Sequence, residues 1–295
     1  MKSMTYKTVP GFFLQDDLNA DPVAIGAVPP RFGLIDESPD RWHNLYVKLG
    51  ALIEEGRSTG KMYKLVLFGR HGQGWHNVAE EKYGTVAWDE YWAKQNGDDE
   101  LTWGPDPDLT PLGEEQAVEA NKVWKQELEN GRMTLPGVLY SSPMTRAIHT
   151  NHITFSGIDT KRVLILENCR EEYGEHTCDK RHPRSFIADK FREFDIEDGF
   201  TEEDELYQQD TRETFEHAVG RAKAVLDRMF TVDDEALCKP TAGAQGSYGR
   251  CSQLAVVSVT AHSGIINAFL GAVGRPRYAL PTGGVIPVVV EASEL

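Results

Sequence analysis

The chain has 295 residues, 40% of them hydrophobic, with 31 basic against 46 acidic side chains and a net charge of −15. That length and apolar content suffice for a buried core. So acidic a surface argues against nucleic acid or an anionic membrane as partner, because both need a basic face.

Residues 1–60 hold Pro22, Pro29, Pro30 and Pro39 and only broken apolar stretches. They read as an extended arm, with one helix near Trp42–Glu55. Lys64-Leu-Val-Leu-Phe68 is a continuous apolar run, as suits a buried strand. It runs into Arg70-His71-Gly72-Gln73-Gly74. Leu109-Thr-Pro-Leu-Gly-Glu-Glu-Gln-Ala117 predicts a helix start, with Thr110 as cap, Pro111 in the first turn and Glu114 and Glu115 at the positive dipole end. Asn130-Gly131 is its stop.

Gly137–Ser141 predicts a second strand and leads into Ser142-Pro143-Met-Thr-Arg146 and a helix. Arg162–Glu167 predicts a third strand. Residues 174–212 are highly charged, as expected of an insertion over one edge. Glu213–Phe230 has helical apolar spacing. Residues 239–253 read as a mobile loop, and 253–260 as a fourth strand ending at Ala261-His262-Ser263-Gly264 and another helix. Val285–Val290 is a last strand, with Pro287 suggesting an edge. The alternation predicts an α/β fold, a mostly parallel central sheet flanked by helices. The expected organisation is an N-terminal extension, 1–60, packed on one catalytic domain, 61–295, whose insertion at about 174–212 forms a lid.

No run approaches the roughly 20 apolar residues that cross a bilayer. The start MKSMTYKTVPGFFLQDD has no apolar core before a small-residue cleavage site, so no secretory signal is expected. Cys169, Cys178, Cys238 and Cys251 are too few for a disulfide framework in a chain this long. Reduced thiols in a cytoplasmic protein are expected, with the nucleus also open.

Arg70-His71, Arg146 and His262 each follow a predicted strand and precede a helix. In a parallel α/β sheet such loops meet at the carboxyl edge, where ligands bind. Two arginines, two histidines and helix N-termini converging there favour a phosphate group. An uncharged imidazole is a competent nucleophile toward phosphorus, which points to His71, with Gly72 and Gly74 expected to keep its approach open.

Arg70-His71-Gly72 resembles the opening block of the histidine phosphatase superfamily, the phosphoglycerate mutase-like fold. Four more blocks agree in order: Leu109-Thr110-x-x-Gly113-x-x-Gln116-Ala117, Ser142-Pro143-x-x-Arg146-Ala147-x-x-Thr150, Arg170-Glu171 followed by Gly174, and Val259-Thr260-Ala261-His262-Ser263-Gly264. The stretches 70–77 and 170–181 resemble fungal phosphomutase-like proteins. The resemblance implies His71 as phosphate acceptor, with Arg70, Arg146, His262, Asn77 and Ser263 holding the phosphate. It implies Glu171 as the acid that protonates the leaving oxygen and then activates water. The acid block departs from the family spacing: Arg170 stands four residues before the glycine, so Glu171 or Glu172 serves.

Other readings were open at several positions. His176 and Cys178 suggest zinc, but a single His-x-Cys lacks the usual three or four spaced ligands, so no metal and no cofactor are expected. Asp179-Lys180-Arg181 fits a substrate contact or an exposed charged turn. Trp88, Tyr91, Trp92 and Trp103 read as packing beneath a lid. Gly-x-Gly at 72–74 lacks the rest of a dinucleotide fingerprint. The expected function is hydrolysis of a small phosphorylated metabolite through phosphohistidine. The alternatives are a phosphomutase with the same intermediate and a catalytically idle binding or regulatory member.

Overall fold

The computed structural model describes residues 4–237 and 256–294. In chain order the elements are β1 (Met4–Thr8), α1 (Pro22–Ile25), α2 (Arg41–Arg57), β2 (Lys61–Arg70), α3 (Trp75–Tyr83), α4 (Thr85–Glu90), α5 (Pro111–Asn130), β3 (Val138–Ser141), α6 (Thr145–Thr154), β4 (Leu164–Ile165), α7 (Arg184–Lys190), β5 (Asp195–Ile196), α8 (Phe215–Leu237), β6 (Val256–Ala261), α9 (Ser263–Ala272) and β7 (Val285–Glu294), with short 3-10 turns between.

The strands form one sheet in the order β1-β7-β2-β6-β3-β4-β5. The β2–β6, β6–β3, β3–β4 and β4–β5 pairings are parallel, and β7 runs antiparallel to β1 and β2. The α/β fold class with a mostly parallel sheet is the observed one. Both faces of β2 are covered, which is why its apolar run is continuous rather than alternating. Val66 and Phe68 face the layer of α8 and α9, with Ala222, Leu226, Ile265 and Phe269. Leu65 and Leu67 face Trp42, Leu45 and Leu49 of α2, Trp124 of α5 and Ile148 of α6. No described helix is long and apolar enough to cross a membrane.

The register sets up the site. Arg70 pairs with Ala261, and Ser141 pairs with Thr260. The next residues along three neighbouring strands, His71, His262 and Ser142, therefore emerge side by side at one carboxyl edge.

Three expectations need correction. β7 is not an edge strand: it lies between β1 and β2. Val285 N donates to Ala27 O and Val9 N donates to Val289 O, so these residues turn their hydrogen-bonding groups toward the N-terminal segment. By alternation Pro287 turns its missing N–H the same way, and the β2 ladder loses nothing. The third strand is only Leu164–Ile165. The charged stretch 174–212 does not merely overlie the edge but supplies it, since β5 pairs parallel to β4.

Most charges of that stretch face solvent, but a few turn inward against the residues just before it. Arg170 is fully buried and grips both oxygens of Asp204 at 2.7 Å, while Arg181 Nε donates to Glu167 at 2.8 Å. Buried guanidiniums persist only when paired in this way. Asp179 and Arg181 are buried, so they do not form an exposed turn, whereas Lys180 is exposed. Trp88 and Trp103 pack together with Ala79, Ala93 and Cys178, and Tyr91 points to solvent. The predicted loop 239–253, the start of the fourth strand, Cys238 and Cys251 lie outside the described residues.

Candidate active site

His71 leaves the end of β2 with its backbone still in the ladder: its N–H donates to Ala261 O at 3.0 Å, and its carbonyl accepts from Gly283 N at 2.8 Å. Its Nδ1 lies 2.6 Å from Gly72 O. A carbonyl only accepts, so Nδ1 carries the proton and Nε2 is left with a free lone pair. Burial, together with the charges of Arg146 and Arg70, holds the ring well below the usual histidine pKa, so it is neutral near pH 7.

His262 caps α9, and its ring centroid lies 4.9 Å from that of His71. Its Nε2 is 2.7 Å from Ser142 Oγ, which fixes the ring, and its Nδ1 has no hydrogen-bond partner among the described residues. Burial, then Arg146 and His71, keep it neutral too. Arg70 reaches inward from the last position of β2 and is anchored by Nη1 to Leu280 O at 2.8 Å. Ser263 stands half-buried in the first turn of α9.

Arg146 is fixed in the first turn of α6. Asp106 holds that turn by accepting from Thr145 N at 2.9 Å and Thr145 Oγ1 at 2.8 Å. The guanidinium already has protein partners: Nη1 donates to Cys178 O at 2.8 Å and Nη2 to Asp179 Oδ1 at 2.9 Å. Its Nε has no partner among the described residues. Asp179 in turn accepts from Arg212 Nη1 at 2.8 Å. Although burial alone would raise the Asp179 pKa, Arg212 and Arg146 overcome it and the carboxyl sits below its ordinary value.

Glu171 reaches across to the start of α9. Its Oε2 accepts from Gly264 N, and its Oε1 accepts from Ile265 N and Glu172 N, all at 3.0 Å. A carboxylate there complements the positive end of the helix. Gly264 makes the approach possible, because a Cβ would lie 2.3 Å from Glu171 Oε1. Burial, with Glu171 next to it, pushes the Glu172 carboxyl up from its usual pKa. Asn77 spends its Oδ1 on Gly74 N at 3.0 Å, tying down the loop between β2 and α3.

The glycines after His71 serve packing rather than ligand access. A Cβ on Gly72 would lie 2.1 Å from Gly113 O, and one on Gly74 would lie 2.7 Å from His76 Nδ1. The 109–117 block now has a structural purpose. Gln116 Oε1 accepts from Gln73 N at 2.8 Å, and Thr110 Oγ1 donates to Gln73 Oε1 at 2.8 Å. Thr150 Oγ1 accepts from Gly72 N at 2.9 Å and donates to Arg146 O at 2.8 Å, joining two blocks 78 positions apart in sequence.

Two residues at this edge escaped the sequence reading. Arg212 gave no signal, since nothing in a charged stretch marks which arginine turns inward. His76 did: it stands in the 70–77 block, and its buried ring lies 5.3 Å from His71. His176, Cys178 and Asp179 bring potential ligand atoms within 4.8 Å of one another. Both Asp179 oxygens already face guanidiniums, and burial pushes the Cys178 thiol up, so this donor set suits a cation poorly.

A model of the histidine phosphatase superfamily (branch 1) matches residues 66–238. A protein of Arthroderma benhamiae described as "Probable phosphoglycerate mutase" is 36% identical, over 97% of this chain and 84% of its own length. The "Phosphomutase-like protein 3" of Candida albicans is also 36% identical, over 77% of this chain and 65% of its own. Among solved structures, one described as "Mycobacterial hydrolase 1" covers 77% of this chain and 92% of its own at 16% identity, with a TM-score of 0.46. Matched by the family model over more than half its length, and by a relative along nearly all of it, this chain belongs to the histidine phosphatase superfamily and is an enzyme of the histidine-type phosphatase or phosphomutase kind.

Proposed function

We propose that the protein is a phosphohydrolase that cleaves small phosphate monoesters through a phosphohistidine on His71. The observation that carries this reading is the Nδ1 contact of His71 with Gly72 O at 2.6 Å, which leaves Nε2 unprotonated beside His262, Arg70 and Arg146. In the first step Nε2 forms a bond to phosphorus as the ester P–O bond breaks, and an acidic carboxyl gives its proton to the leaving oxygen. In the second, water attacks phosphorus, the same carboxylate takes its proton, the P–N bond breaks and inorganic phosphate departs. Arg70, Arg146, His262, Asn77 and Ser263 hold the phosphoryl group as its charge spreads over the equatorial oxygens. Glu171 is the first choice for the acid, and its Oε2, which accepts only one N–H, has room for the proton. No metal or cofactor enters this scheme, and the setting is cytoplasmic.

The names of the Arthroderma and Candida relatives support a second reading, in which a substrate hydroxyl replaces water and the phosphoryl group returns to carbon-bound oxygen. One experiment tests both. A panel of phosphate monoesters is scored for released phosphate and for isomerised ester, and a brief acid quench is followed by mapping of the labelled residue. Released phosphate with acid-labile, base-stable label on His71, lost in His71→Ala, is expected. Isomer without released phosphate would select the mutase, and label on serine or cysteine would overturn the mechanism.

A further inference from the structure

The scheme above leaves one buried imidazole at this edge without a task. His76 is the second residue of α3, its ring centroid 5.3 Å from that of His71, which also has His262 at 4.9 Å. No hydrogen bond joins His76 to His71, whose Nδ1 is already held by Gly72 O, so His76 does not orient the acceptor. Its own Nδ1 has no hydrogen-bond partner among the described residues.

A buried polar atom without a partner costs stability, and an apolar ring of the same shape would not incur that cost. The chain nevertheless makes room for this imidazole. Gly74 has no Cβ to lie 2.7 Å from His76 Nδ1 and 3.5 Å from Arg146 Cδ. The charged and titratable groups acting on the ring are Arg146, His71, Arg70 and His176, and with burial they keep it neutral. A neutral imidazole carries one N–H donor and adds no net charge to a site that already holds two guanidiniums.

We infer that His76 is a further phosphoryl-contacting residue, a neutral N–H donor to the group in transit on His71, placed there by Gly74 beside Arg146. It forms no bond to phosphorus and releases no proton. It strengthens its hydrogen bond as negative charge gathers on the phosphoryl oxygens, so its effect falls on kcat more than on KM. His76 has this role only if His71 is the acceptor, as proposed above.

The full-length enzyme is compared with His76→Phe, which keeps a ring and removes the donor, and His76→Asn, which keeps an N–H. The readouts are kcat and KM on an aryl phosphate, inhibition by orthovanadate, thermal unfolding, and the site of acid-labile label. The expected result is a fall in kcat of about 100-fold in His76→Phe, by analogy with loss of one oxyanion donor. KM should change little, vanadate should bind more weakly, and unfolding should occur at the same or a higher temperature. His76→Asn should recover at least about tenfold in kcat. Wild-type kinetics in His76→Phe would overturn the assignment, as would equal losses in both variants accompanied by a lower unfolding temperature. Label on His76 itself would also overturn it. Absence of label on His71 in the wild type would instead defeat the acceptor reading, whatever the His76 variants do.

Discussion

Arg146 and Asp179 form a buried pair, Nη2 to Oδ1 at 2.9 Å, that ties the helix after β3 to the segment between β4 and α8. Asp179 also holds Arg212 at 2.8 Å, so one carboxylate separates two guanidiniums. Removing it leaves the buried Arg146 charge unpaired and facing the half-buried Arg212. Asp179→Ala should cost about 3–5 kcal/mol in denaturant unfolding. Because its folded pKa is depressed, Asp179 binds fewer protons folded than unfolded. Its contribution is complete above the ordinary aspartate value and disappears as pH falls below it. Wild type should therefore converge with Asp179→Asn in strong acid. Equal stability of the two at pH 7 would contradict the bridge.

The three imidazoles titrate with the opposite chemistry but the same direction of loss. His71, His76 and His262 are held well below the usual pKa, so folded rings stay neutral while unfolded ones gain protons below about pH 6.5. Stability is complete above that value and falls as pH drops, by about 1.4 kcal/mol per pH unit for each ring. The difference in unfolding free energy between wild type and His76→Phe, followed from pH 7.5 to 5, isolates one of them. A constant difference would mean that the His76 ring titrates alike in the folded and unfolded chain, and a difference of opposite slope that it is charged when folded.

Glu171 and Glu172 divide on leaving-group dependence. Replacing the true acid by glutamine should lower kcat about 100- to 10,000-fold on alkyl phosphates and far less on aryl phosphates whose leaving oxygen needs no proton. Glu171→Gln is expected to show this pattern. If Glu172→Gln shows it instead, the carboxyl whose pKa is raised is the acid.

Gly72→Ala should destabilise the fold by about 1–3 kcal/mol or more, because the new methyl would lie 2.1 Å from the backbone oxygen of Gly113 at the start of α5. Backbone on both sides leaves nothing flexible to yield. Urea midpoints compare the two chains, and an unchanged midpoint would mean that this contact is looser than it stands.

Chelation should leave turnover unchanged. The His176–Cys178–Asp179 group is the candidate among the described residues for holding an ion, and Arg146 and Arg212 already occupy its carboxylate. Loss of activity in a chelator, restored by one added divalent metal, would reverse that expectation.

Much of this site could be read along the chain because its parts are local. Each of the blocks around His71, Arg146 and His262 is a strand end running into a helix start, and the residues that build such a junction are neighbours in sequence. The helix signals at Thr110, Pro111 and Gly131 work for the same reason: Thr110 Oγ1 accepts from Gly113 N at 3.1 Å, three residues away. The N-terminal strand Met4–Thr8 and the edge strand Asp195–Ile196 were not visible, since both are defined by a partner far along the chain and not by their own five or two residues.

The sequence by itself determined the α/β alternation, the histidine and arginine blocks and their order, and through them the family. Only the tertiary structure decided that β7 is internal, that Asp179 bridges Arg146 and Arg212, that Glu171 reaches the start of α9, and that His76 stands against His71. The physical reason is range. Caps, turns and apolar runs are fixed by contacts a few residues apart, whereas charge pairing and ring packing depend on which distant surfaces the sheet register brings face to face.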